Sequence, residues 1–230
     1  MTSFSDHLHS LAEPIWRAQH EHPFVRGIGD GTLDVETFKL WLRQDYLFLI
    51  DYARVLSHAS TRAPDLDTTR RFGDLAHETL NVEMDLHRSY AAEFGITSEE
   101  LESETKLPTT QAYTDFLVRT ATAGEYHELI AALLPCIWGY CEIGQRLAEN
   151  RRLHDDARPD FIGARYAKWI EMYSSSEFAD LADWCRTLTD RIAADASDAS
   201  RTQMEHAFIT CSRYEWLFWQ MAWTNESWPV

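Results

Sequence analysis

Apolar residues recur at helical spacing along nearly the whole chain, and no stretch alternates in the manner of a strand. Residues 3–21 read as a first helix, ended at His22-Pro23 because the residue before a proline avoids helical backbone angles. The run Gly27-Ile28-Gly29-Asp30-Gly31 reads as a turn cluster. Behind an Asp34 cap, Trp41, Leu42, Leu49, Tyr52 and Leu56 mark the apolar face of a long helix to about residue 60. A third helix is predicted over 67–94, stopping at Gly95. After a polar loop, Thr109 or Thr110 caps a short helix to about residue 122. Helices over 125–150, 159–173, 176–196 and 200–223 complete the set. The pattern predicts one all-α domain over 1–230, with helices long enough to form a bundle.

Composition supports a folded core, since 45% of the residues are apolar and 13% aromatic. No uncharged apolar run reaches the length of about eighteen residues that a membrane span needs. The first ten residues carry Asp6, His7 and His9 and no apolar leader core, so a cytoplasmic location is expected. A net charge of −16 argues against a nucleic-acid partner, because no basic surface is there to displace counterions. Among the 21 basic residues just three are lysine (Lys39, Lys106 and Lys168) and the rest are arginine. Acidic excess with few lysines suits a high-salt, halophilic cytosol, where charges are screened over roughly 3 Å at about 1 M.

Candidate chemistry lies where polar residues interrupt apolar helix faces, because burying such groups unpaired costs about 1–3 kcal/mol. Glu215 has Phe208, Cys211, Phe218 and Trp219 on its own face. It is either paired with an arginine such as Arg213 or Arg43, or a carboxyl whose pKa desolvation raises for proton transfer. Asp45 sits in the same way among Trp41, Leu42, Phe48, Leu49 and Tyr52, facing either a buried partner or a polar ligand. A carboxylate there matches an aminopyrimidine, whose ring nitrogen and exocyclic amine it can engage together when one nitrogen is protonated. The four cysteines form no CxxC and default to buried apolar residues. Cys136 stands apart because Pro135 cannot donate the backbone bond to Ala131. A kink there is expected to place the thiol, with Tyr140 one turn on, at a cavity wall.

These stretches together resemble the TenA family, of the thiaminase II type. The resemblance is carried by His22-Pro23-Phe24-Val25 with Gly27 to Leu33, by Gln44-Asp45, and by Glu83-Met84 with Leu86-His87-Arg88. Ala131 to Cys136 with Trp138 and Tyr140 continue it, and Tyr214-Glu215, Phe218-Trp219 and Met221-Ala222 complete it. The resemblance implies a haem-oxygenase-like helical bundle, the Cys-bearing class, no cofactor and a homotetramer. It implies hydrolysis of 4-amino-5-aminomethyl-2-methylpyrimidine, with thiamin cleavage as a second activity, in thiamin salvage. Cys136 would be the nucleophile and Glu215 the proton donor, while Asp45, Tyr140 and Tyr173 contact substrate and Tyr113 lines the site. Where the family commonly has a tyrosine near the thiol, this chain has Phe48, whose ring can still pack on a pyrimidine. Tyr46 lies about 200° round the helix from it and is no substitute.

Two rival chemistries use other residues. Asp74, His77, Glu78, Glu83 and His87 could form a carboxylate–histidine metal site, although just one pair has the i, i+3 spacing of a di-iron helix. His20 or His22 could ligate haem. A non-catalytic pyrimidine-binding regulator of the same fold is a third class.

Overall fold

The computed structural model describes residues 3–155 and 165–230, and among them every regular element is helical. Among the described residues eleven α-helices run in order: α1 Phe4–His20, α2 Pro23–Asp30, α3 Val35–Thr61, α4 Leu66–Glu78, α5 Met84–Glu93, α6 Ser98–Ser103, α7 Pro108–Ala123, α8 Tyr126–Asp155, α9 Ala167–Tyr173, α10 Ser176–Ala194 and α11 Asp198–Thr224. The all-α expectation holds, and none of these helices is long and apolar enough to cross a membrane. The part of the helix expected over 159–173 that precedes residue 165 lies outside the described residues.

Contacts divide the chain into two compact units, each assembled from separated segments. The first comprises residues 1–34 and 130–220. In it α1 is capped by Ser3, whose hydroxyl accepts from the Asp6 N–H, and buries Leu8, Ala12, Trp16 and Gln19 along one face. Asp190 of α10 accepts from the Ser5 N–H at 2.6 Å and ties that helix start down. Of the supposed turn at 27–31, residues 27–30 are instead helical. His22 caps α2 with its ring nitrogen on the Phe24 N–H, and Pro23 occupies the first turn, where its missing donor costs nothing. The turn comes at Gly31, whose φ of 68° closes the helix in the left-handed region. Glycine density misled because it marks both turns and helix ends.

The second unit comprises residues 35–129 and 221–230, with α3 packed against α4, α5, α6 and α7. Polar residues on α3 anchor the chain before α7. Gln44 donates to the Thr105 carbonyl and accepts from the Leu107 N–H, both at 2.9 Å, and Asp51 pairs with Lys106 and Arg54. These cations hold the Asp51 carboxyl below the usual range against the opposing effect of burial. The single helix expected over 67–94 is interrupted by a π-turn at Thr79–Glu83, where the Met84 N–H bonds to the Thr79 carbonyl. One extra residue in a turn rotates everything after it by about 100°. Side chains of α4 and α5 that share a stripe in sequence therefore point to different surroundings.

Two further expectations change. Neither Thr109 nor Thr110 caps α7, which starts with Pro108 in its first turn. Thr109 instead donates through its N–H and hydroxyl to the Glu226 carboxylate at 3.0 Å each, while the Thr110 hydroxyl contacts the Met221 sulfur at 3.2 Å. The polar loop before α7 contains α6, closed by a reciprocal capping box between Thr97 and Glu100. Helix α8 continues through Pro135.

Candidate active site

Burial separates the cysteines. From Leu129 to Ile137 every residue is buried except Cys136, which is half-exposed, whereas Cys141, Cys185 and Cys211 are buried. Burial, with the charges of Asp183 and Glu142, pushes the Cys141 thiol up, so that sulfur is disfavoured as a thiolate. Cys136 is thus the thiol within reach of a ligand. One turn on, Tyr140 meets Tyr173 at 4.8 Å and Trp219 at 5.0 Å between ring centroids, and Trp169 closes the group 4.6 Å from Tyr173. Glu215 is 2% exposed and lies one turn before Trp219 on α11. Cys136 and Glu215 therefore each precede, by one helical turn, one of two rings that touch each other.

Of the two arginines weighed for Glu215, each has its own surroundings. Arg213 is exposed, and Arg43 engages Glu100 and Glu104 at 3.8 and 3.9 Å. The close approach of α8 to the end of α9 depends on Gly144. A Cβ at that position would stand 2.5 Å from the Tyr173 carbonyl carbon and 2.8 Å from the Ser174 nitrogen. Tyr173 reaches Tyr140 because position 144 carries no side chain.

In the second unit, Asp45 is 5% exposed and its Oδ2 lies 2.6 Å from His87 Nε2, while His87 Nδ1 lies 3.1 Å from the Glu83 carbonyl. Burial works against a protonated His87, but the hydrogen bond and charge of Asp45, with the charge and carbonyl of Glu83, outweigh it and hold His87 above the ordinary histidine range. Burial likewise pushes the Glu83 carboxyl up to about 7, with Asp45 adding and His87 and Thr79 opposing. Phe48 packs beside Tyr52 at 5.6 Å and Tyr113 at 5.1 Å, so two expected lining residues do meet. Tyr46 is committed elsewhere, accepting from Arg88 at 2.9 Å.

The rival sites separate. Asp74, His77 and Glu78 are exposed while His87 is buried, and among the described residues no three His, Cys, Asp or Glu side chains form a metal-holding group. The π-turn is the physical cause. His20 bonds to Glu142 at 2.8 Å, and His22 is engaged by Phe24 and Gln220. Glu142, held by His20 and His9 against burial, is depressed to about 2.

A family model described as TENA/THI-4/PQQC matches residues 9–225. The chain belongs to the TENA/THI-4/PQQC family. It is 44% identical over 226 residues to an aminopyrimidine aminohydrolase of Halalkalibacterium halodurans, covering 98% of each chain. Among solved structures it is similar to a TenA homologue from P. horikoshii, with a TM-score of 0.86, 30% identity and coverage of 97% and 99% of the two chains. A domain of unknown function from Shewanella denitrificans with a heme oxygenase-like fold superposes at a TM-score of 0.74 and 14% identity, covering 96% of this chain and 92% of its own. That likeness assigns the fold and nothing further.

Within this TENA/THI-4/PQQC chain, sequence reasoning overlooked three residues. His87 was weighed as a metal ligand and is the partner of Asp45. Trp169 joins the tyrosine wall, and Gly144 spaces it. The glycine carried a weak signal, because glycine inside a long helix costs about 1 kcal/mol relative to alanine and calls for a packing reason.

Proposed function

We propose that the chain hydrolyses 4-amino-5-aminomethyl-2-methylpyrimidine to the 4-amino-5-hydroxymethyl compound and ammonia, with cleavage of thiamin as a second activity. The observation that carries this is the isolated accessibility of Cys136 in a buried stretch, one turn from an aromatic wall. The 44% identity to a protein named for this reaction supports it along the whole chain. The chain acts as a Cys-bearing member of its family and as one domain over 1–230, since neither compact unit is continuous in sequence.

The bond to be broken hangs on a ring-bound methylene that resists direct attack by water. Addition of the Cys136 thiolate to the electron-poor ring forms a C–S bond and turns the amine into a leaving group, provided an acid protonates it. Glu215 supplies that proton, the C–N bond breaks, ammonia leaves and an exocyclic methylene remains. Water then adds to the exocyclic methylene, and the thiolate departs. Asp45 holds the aminopyrimidine edge, Phe48 and Tyr113 offer ring faces, and Tyr140 and Tyr173 contact the reacting side. The test is ammonia release from the aminomethyl pyrimidine, run beside thiamin. Binding of the pyrimidine without release of ammonia would reduce the protein to a regulator.

Phe48 sets a second expectation. Relatives commonly carry a tyrosine here whose hydroxyl is held to help ionise the thiol, so Phe48→Tyr is expected to raise kcat several-fold. A variant no faster than wild type removes the idea.

The protein is a cytoplasmic homotetramer acting on small molecules. Leu80, Val82 and Leu86, each about half exposed around the π-turn, support burial against further copies. The acidic balance supports a high-salt setting, and molar KCl is expected to raise Tm and activity by screening self-repulsion. Full activity in dilute buffer with no gain from salt would count against it.

A further inference from the structure

Buried Asp45 and His87, with half-buried Glu83 one turn away, carry more charge than one ion pair needs. His87 Nδ1 lies 3.1 Å from the Glu83 carbonyl, which can only accept, so Nδ1 carries a proton. A single further proton then sits in the 2.6 Å bond between Nε2 and Asp45 Oδ2. With that proton on nitrogen, His87 cancels the charge of Asp45 and leaves a neutral pair. Among the described residues Asp45 Oδ1 accepts no hydrogen bond, although the residue is 5% exposed. That oxygen is therefore left to the N–H donors of a ligand.

A 4-aminopyrimidine protonated on its ring nitrogen presents two adjacent N–H donors and one positive charge. Oδ1 and the second lone pair of Oδ2 match the donors, but a neutral pair does not match the charge. Glu83 restores the balance. It sits in the π-turn one helical turn before His87, a half-buried residue whose carboxyl feels the charges of both Asp45 and His87.

We propose that His87 and Glu83 are positioning residues for Asp45: His87 pins Oδ2 and leaves Oδ1 to the ligand, and ionised Glu83 leaves the group one net negative charge with which to take an aminopyrimidine as its cation. The inference rests on the activity assigned above and names the protonation state in which the ring is held. The π-turn is the structural device, because without the extra residue the side chains after it would turn by about 100°. Burial of Glu83, whose carboxyl titrates at about 7, brings its ionisation into the working pH range.

The experiment is a pH series of product affinity, using 4-amino-5-hydroxymethyl-2-methylpyrimidine as the probe in titration calorimetry from pH 5.5 to 8.5. The ring gains its own proton as pH falls, in wild type and variants alike, so the informative quantity is the ratio of Kd between Glu83→Gln and wild type. That ratio is expected to be on the order of tenfold at pH 8, where wild-type Glu83 is ionised, and to approach one by pH 6. His87→Gln keeps a donor to Oδ2 but removes the cation that offsets burial of the Glu83 carboxyl, so affinity is lost at a higher pH than in wild type. In ammonia release its KM is expected to rise more than its kcat falls.

A ratio near one at pH 8, or a ratio independent of pH, overturns the inference while leaving the activity standing. An unmoved acid limb in His87→Gln does the same. If His87→Gln does not fold, the isosteric Glu83→Gln decides alone. Wild type that binds no aminopyrimidine overturns the assigned activity, and this inference with it.

Discussion

Cys136→Ser is expected to lower ammonia release by about 10³-fold or more, while binding of the hydroxymethyl product and the thermal melt stay close to wild type. The change swaps sulfur for the slightly smaller oxygen at a half-exposed position, so packing has little to lose. The hydroxyl is a far weaker nucleophile than a thiolate at neutral pH, so the first bond does not form. Glu215→Gln should fall by about 10²–10⁴-fold, since an amide of the same shape cannot donate the proton that the leaving amine needs. Cys141→Ser provides the contrast, because that thiol is buried and held protonated, and its loss should leave turnover intact. An active Cys136→Ser protein would remove covalent catalysis altogether.

The second large effect is steric. Gly144→Ala would ordinarily stabilise a helix interior by about 0.5–1 kcal/mol. Here the new methyl would meet backbone atoms of Tyr173 and Ser174 at 2.5 to 2.8 Å, and a backbone cannot rotate away as a side chain can. A net loss of about 2–3 kcal/mol is expected from overpacking, or roughly 4–12 °C in Tm for a chain of this size. Tyr173 would be pushed from its 4.8 Å contact with Tyr140, so kcat/KM should fall with stability. Gly139→Ala, on the same helix with open space around its Cβ, should be neutral or mildly stabilising. Equal melts for Gly144→Ala and wild type would show that α8 and α9 separate freely.

Much of the chemistry was legible from spacing. Glu215 and Asp45 were placed inward by their apolar neighbours alone, and both are buried. Pro135 sets Cys136 apart in the sequence, and Cys136 is half-exposed within its buried stretch. The identity of each partner was not legible. Spacing offered Arg213 or Arg43 to Glu215, whereas Arg213 is exposed and Arg43 engages Glu100 and Glu104. Phe48 and Tyr113, 65 positions apart, could be named as site residues by resemblance, yet their contact depends on how α3 meets α7.

The amino-acid sequence by itself determined the all-α class, the long helices and which acid groups turn inward. Helical periodicity is a local property, written every three or four residues and readable without the rest of the chain. The tertiary structure alone decided the pairing of Asp45 with His87 across 42 positions and the bonding of Thr109 to Glu226 across 117. It also decided the π-turn that separates His77 from His87 and the contact that reserves position 144 for glycine. Each depends on which faces meet after the helices pack, and that is set by the summed burial of distant surfaces.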